Sequence, residues 1–173
     1  MSIVWFIGGL LATIIGVACM GGALLPRDHV ATGSVVVPRS PADAYRHVRD
    51  FARLPSWRPS VSKVEIAEGP ADAPTRWTEH AKGGPLRLHM VRETPDASIE
   101  IRIDDKGQPF GGTWTIEFSP EGQGARIRVT ERGFVKLPPF RLVAKFVIGH
   151  RAALVAYLKD LSGALGGPTT VDE

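Results

Sequence analysis

Charge is missing from one end of this 173-residue chain: between Ile3 and Leu25 there is no Asp, Glu, Lys, Arg or His. Cysteine is nearly missing everywhere. Cys19 is the only one, which excludes an intrachain disulfide and any metal site built on cysteines. The signatures of several enzyme classes are also absent. There is no His-Glu-x-x-His, no Gly-x-Ser-x-Gly, no Gly-x-x-x-x-Gly-Lys-Ser/Thr and no dinucleotide fingerprint, so neither a cofactor nor a metal is expected. No fixed-period repeat or low-complexity tract occurs, and only Gly163 to Glu173 reads as a loose, flexible tail.

What is present begins with the uncharged run itself. As a helix, residues 3–25 would be roughly 35 Å long, enough to cross the hydrocarbon core of a bilayer. A cleaved signal peptide would carry a basic start and a shorter apolar core, and only Met1-Ser2 precede this one. A lipidated cysteine would need a better approach than Gly16-Val17-Ala18, and a soluble core helix rarely stays uncharged this long. The segment is therefore expected to be an uncleaved single-pass anchor in the cell membrane. Arg27, Arg39, Arg46 and Arg49 all follow it, so the positive-inside rule predicts a cytoplasmic soluble domain. Small residues at Ala12 and Gly16, or Ala18 and Gly22, would permit a weak homodimer through this helix.

The soluble remainder, residues 29–162, has the length of one domain with a sizeable core. Its charge is uneven. From Arg126 to Lys159 eight Lys and Arg residues meet a single acid, Glu131, whereas Asp and Glu concentrate in the middle. Next to an anchor, such a basic third is expected to face anionic lipid rather than nucleic acid.

Ala31 to Val37 is β-branched and ends at Pro38, which marks a first strand. Ser40-Pro41-Ala42-Asp43 supplies an N-cap, a first-turn proline and an acid for a helix carrying Ala44, Tyr45 and Val48 on one face, and Leu54-Pro55-Ser56-Trp57-Arg58-Pro59 leaves room for a second short one. Six strands follow between Val61 and Phe134, separated by turns such as Gly83-Gly84-Pro85 and Glu121-Gly122-Gln123-Gly124. The short connections imply an antiparallel meander. Leu88 and Met90, Ile99 and Ile101, Trp114 and Ile116, and Ile127 and Val129 alternate with polar residues, so one face is apolar. A long helix over Phe140 to Leu161, with Val143, Val147, His150, Leu154 and Tyr157 at helical spacing, is expected to cover that face. The fold class is α+β, of the helix-grip kind: a curved antiparallel sheet wrapped on a long C-terminal helix, plus an N-terminal transmembrane helix.

The stretch Val35-x-Val37, Ser40-Pro41-x-Asp43-x-Tyr45-x-x-Val48 and Asp50-Phe51-x-x-Leu54-Pro55-x-Trp57-x-Pro59-x-Val61-x-x-Val64 resembles the START/Bet v 1-like (SRPBCC) superfamily, in its bacterial polyketide cyclase/dehydrase and lipid-transport group. Members commonly have Asn where this chain has Arg58. The resemblance implies a hydrophobic cavity between sheet and helix, which in relatives holds lipids, sterols, quinones or polyketides.

Residues expected to line such a cavity are Trp57, Leu88, Met90, Ile101, Trp114 and Ile116 from the first half of the domain. Val129, Phe134, Val143, Val147, His150 and Leu154 are expected from the second. His150 is the sharpest of these, because a polar group on an apolar stripe needs a partner and an imidazole titrates near neutral pH. The parity of His80, His89, Glu79, Glu93, Glu100 and Glu117 mostly assigns them to the wet face. Three functions compete: a membrane-anchored module that binds a hydrophobic small molecule or lipid, a cyclase or dehydratase, and a protein-interaction module. The first is the leading expectation. The second requires an acid or base inside the cavity, and the third an exposed apolar patch.

Overall fold

Alternating apolar and polar residues joined by tight turns can bury only one face. The structure, a computed structural model describing residues 2–104, 106–149 and 151–172 (backbone alone for 2–4 and 146–148), builds that face as one curved sheet. The elements are α1 (Ser2–Ala23), β1 (Asp28–Val37), α2 (Pro41–Arg49), a 3-10 turn (Phe51–Arg53), α3 (Leu54–Trp57), β2 (Val61–Glu68), β3 (Arg76–Ala81), β4 (Gly84–Thr94), β5 (Ser98–Ile103), β6 (Phe110–Glu121), β7 (Gly124–Val135), α4 (Pro138–Leu142), a π-helical turn (Val143–Ile148) and α5 (Ala152–Ala164). The strands lie in the order β1-β7-β6-β5-β4-β3-β2, antiparallel throughout, so β1 returns to the edge farthest from β2. Local chemistry starts α2 as its sequence implies: the Ser40 hydroxyl accepts from the Asp43 N–H at 3.1 Å, and Pro41 occupies the first turn.

The concave face buries Val35, Val37, Ile99, Ile116, Ile127 and Val129 against Leu154, Leu158 and Leu161 of α5. One irregularity changes which groups reach it. The β4–β5 register slips between Met90 and Arg92, so Leu88 and Met90 oppose Ile103 and Ile101, but beyond the bulge Glu93 opposes Ile99. Glu93 therefore turns inward, against the expectation from simple alternation. There it accepts from Arg49 Nε at 2.6 Å and from the Tyr45 hydroxyl, while Arg49 also donates to the Pro74 carbonyl at 3.1 Å.

The single long C-terminal helix expected over Phe140 to Leu161 is divided. After α4 the chain makes one π turn, in which the Gly149 N–H bonds to the Ala144 carbonyl at 3.0 Å, and Gly149 takes φ 77° and ψ 128° before α5 begins. That backbone conformation suits glycine and ends the helix. The expected loose tail is held as well. Ser34 and Asp172 exchange both backbone hydrogen bonds, at 2.9 and 2.8 Å, and Val171 packs on the core, so the C-terminal segment covers part of the open edge of β1.

Helix α1 is long and apolar enough to cross a membrane, and its side chains from Trp5 to Met20 are mostly exposed. Its last turn meets the rest of the molecule at one place. A Cβ on Gly22 would lie 1.9 Å from the Pro138 carbonyl oxygen, so only glycine allows α1 and α4 to touch backbone to backbone. Arg141 fastens the junction, donating to the carbonyls of Val135, Lys136 and Leu25 at 3.0, 3.1 and 3.3 Å.

Candidate functional site

Between the concave face of the sheet and α5 lies a cavity of about 210 Å³. Its walls are assembled from eight elements. The 3-10 turn and α3 contribute Phe51 and Leu54, and Arg58 follows directly; β4 and β5 contribute Leu86, Leu88, Ile101 and Ile103. Strand β6 adds Phe110, Trp114 and Ile116, while Ala153 and Tyr157, one turn apart, close it from α5. Two carboxylates complete the wall, Glu79 from β3 and Glu131 from β7. The volume is about two thirds of the roughly 300 Å³ at which drug-sized sites begin.

One end of the cavity carries a compact polar group. Arg58 donates to Glu79 Oε2 at 3.1 Å, and the Trp77 indole N–H donates to Oε1 at 3.2 Å. The Glu79 side chain is 7% exposed and that of Arg58 20%, so the charge of each is met within the protein rather than by water. The Arg58 guanidinium also stands 5.2 Å from the Tyr157 ring centre, on which Trp57 and Trp114 pack edge to face at 5.6 and 5.4 Å. Burial raises the Tyr157 pKa and keeps the phenol protonated. The other end lies where β6 begins and β7 ends. Glu131 stands across from Trp114 in the ladder with His29 Nε2 3.5 Å from its carboxylate, and Phe110 is 41% exposed, so the cavity reaches the surface there.

Of the residues expected at the site, Leu88, Ile101, Trp114 and Ile116 line the cavity. Trp57 stands behind Tyr157, between that ring and His47. Val129 and Leu154 are fully buried in the core, Met90 packs at its margin and Val143 is exposed, so none of these four reaches the cavity. Phe134 has to be reassigned to the opposite face. It shares the parity of Arg128 and Arg132, and its ring lies 5.0 Å from the Arg27 guanidinium and 5.8 Å from the Lys136 ammonium. His150 and the side chain of Val147 lie outside the described residues. His80, His89 and Glu100 fall at positions of wet-face parity, and His80 approaches Glu65 at 3.2 Å.

The chemistry-bearing residues of the cavity went unselected in the sequence. Glu79 shares a face with buried Trp77 two positions earlier, and that spacing could have identified it. Glu131 stood out as the lone acid of the basic third, and Tyr157 lay on the apolar stripe. Arg58 replaces the residue usual after the tryptophan, and its partner could not be read from position alone.

The family model described as polyketide cyclase / dehydrase and lipid transport matches residues 28–162. No curated protein matches the chain. Among solved structures, a START superfamily protein from Mycobacterium smegmatis superposes with a TM-score of 0.64 at 19% identity, covering 80% of this chain and 97% of its own. A norcoclaurine synthase from Thalictrum flavum, in complex with a transition-state analogue, superposes at 0.63 with 14% identity, covering 82% and 96%. The di-domain ARO/CYC StfQ of the steffimycin biosynthetic pathway also superposes at 0.63 with 14% identity, covering 81% of this chain and 52% of its own. At these identities the likeness is one of fold.

Proposed function

The chain belongs to the polyketide cyclase / dehydrase and lipid transport family, and from that membership and the cavity we propose that it is a membrane-anchored protein that binds a hydrophobic small molecule or lipid. What carries this reading is the position of the cavity mouth. The cavity reaches the surface at Phe110, and Lys136 donates to the Pro109 carbonyl at 2.7 Å, which ties that rim to the segment leading into α4. α4 in turn touches the last turn of α1 through Gly22. If α1 spans the bilayer to Ala23, the mouth sits at headgroup depth, and an apolar ligand passes between bilayer and cavity with little exposure to water.

The surface around the mouth is consistent with that placement. Leu137, Phe140 and Val143 are exposed on and beside α4, at the depth of the final turn of α1. Lys136, Arg141 and Lys145 lie within a few positions of them in the chain, and Arg27 follows α1, a basic complement expected of a headgroup zone with anionic lipid. The sites of exposed apolar surface and of basic charge thus coincide with the anchor rather than with a distant docking face.

Extraction of the full chain into nanodiscs, followed by mass spectrometry of tightly bound molecules, tests the proposal. A stoichiometric apolar species is expected in the wild type. Ala153→Phe, which adds a ring at the cavity wall, should lower its occupancy at least tenfold while the melting temperature is unchanged. An interior that holds nothing in the wild type rejects the reading.

A further inference from the structure

The chain has two tyrosines, and both are buried. Tyr45 donates its hydroxyl to Glu93. Tyr157 is 5% exposed and forms part of the cavity wall, yet its hydroxyl has no hydrogen-bond partner among the described residues. A tyrosine hydroxyl that takes no partner from the protein and belongs to a cavity wall keeps its donor for whatever occupies the cavity.

The surroundings leave that donor available. The ring is held by Trp57 and Trp114 at its edges and by the Arg58 guanidinium on its face. Glu79, the nearby acid of this end, already accepts from Arg58 on one oxygen and from Trp77 on the other. Arg58 is paired, so it offers no uncompensated positive charge to a carboxylate. Glu131, at the other end, adds a negative charge that disfavours an anionic ligand passing the mouth.

We propose that the Tyr157 hydroxyl is the polar anchor of the cavity, and that the ligand is a neutral, largely apolar molecule presenting a carbonyl oxygen to it. The inference rests on the cavity being a ligand site, as argued above, and it adds the chemical class. The apolar body lies along Leu88, Ile101 and Ile116, the carbonyl accepts from Tyr157, and the aromatic rings fix the donor before the ligand arrives.

Two probes of nearly equal shape decide it: 2-acetylnaphthalene, which has the carbonyl, and 2-ethylnaphthalene, which lacks it. Each is titrated into the full chain in nanodiscs, with empty nanodiscs as the reference for partitioning. The ketone is expected to bind about tenfold more tightly, the ratio that one hydrogen bond supplies. In Tyr157→Phe that preference should vanish while the hydrocarbon binds as before, and the carbonyl stretch of the bound ketone should move to higher frequency. Because Tyr→Phe removes a hydroxyl with no protein partner, the melting temperature should hold or rise. Equal binding of both probes by the wild type overturns the inference and leaves the hydrophobic-ligand reading standing. Binding of neither overturns both. A marked fall in stability of Tyr157→Phe overturns the anchor role by revealing a structural partner.

Discussion

At the scale of single residues, the interior contains two carboxylates that resemble each other in sequence and differ in use. Glu79 and Glu93 are both drawn to the concave face, and each meets an arginine, Arg58 and Arg49 respectively. Glu79 faces the cavity, where its charge is neutralised so that the wall stays compatible with an apolar ligand. Glu93 ties α2 to β4. Burial pushes the Glu93 carboxyl up, but the hydrogen bonds from Arg49 and Tyr45 and the charge of Arg49 outweigh it, and its pKa lies below the ordinary value of 4.5. Its own burial, and then the same acceptor, push Tyr45 up to about 12. A depressed carboxylate binds fewer protons folded than unfolded. Its stabilisation is therefore complete above the unfolded pKa and lost as pH falls through the folded one. Urea titrations should show Glu93→Gln less stable than the wild type by about 2 kcal/mol at neutral pH. The gap should narrow as pH falls below the ordinary carboxylate range and the wild-type carboxylate protonates.

At the scale of elements, the decisive feature is how α1 and α4 meet. Gly22 lets the two backbones touch, and Arg141 spans from α4 to the chain on both sides of the domain, at Leu25 and Val135. This fixes the height of α4 relative to the apolar helix and leaves the Phe140 side chain 50% exposed at that height. Environment-sensitive fluorophores on single cysteines, introduced in a Cys19→Ala background, read the depth of each position. In nanodiscs, labels at Ile14 and Phe140 should both be quenched by lipid-borne quenchers, and a label at Val91 on the wet side of β4 should respond only to aqueous quenchers. Lipid contact at Ile14 with water contact at Phe140 would leave α1 an anchor but remove α4 from the bilayer surface. Introducing Gly22→Leu, which drives a side chain into Pro138, should make the Phe140 label more accessible to water.

At the scale of the whole molecule, a seven-stranded sheet curls around α5 and leaves two edges, β1 and β2. The C-terminal segment pairs Asp172 with Ser34 and occupies part of the β1 edge, where an unpaired ladder would otherwise invite another chain. Removal of residues 168–173 should raise self-association measurably in size-exclusion chromatography with light scattering, and it should lower the melting temperature, because Val171 leaves the core and the buried Ser162 hydroxyl loses the Pro168 carbonyl. The molecule thus has one end with the apolar helix α1, α4 and the cavity mouth, and an opposite end formed by turns such as Pro95–Ala97 and Glu121–Gly124.

Strand count, antiparallel pairing, the capped α2 and the long apolar helix α1 were legible in the chain because each depends on neighbours a few residues apart: alternation, turn chemistry, an N-cap, an uncharged run. Leu88, Ile101, Trp114 and Ile116 were legible at the site for the same reason, since period-two alternation assigns a face. The rest depended on distant parts of the chain. A one-residue bulge at Val91 reversed the direction of Glu93, and the π turn with Gly149 divided a helix whose apolar spacing looked continuous. Phe134 went to the outer face because the inward parity of β7 continues through Glu131 to Val135 at the mouth. The amino-acid order by itself determined which segments become strands and helices and that one helix is apolar enough for a bilayer. Only the tertiary structure decided which side chains surround the cavity. Arg58, Glu79, Glu131 and Tyr157 come from four separate parts of the chain, and whether a polar group among apolar walls is paired or left as a donor depends on distances that local sequence does not encode.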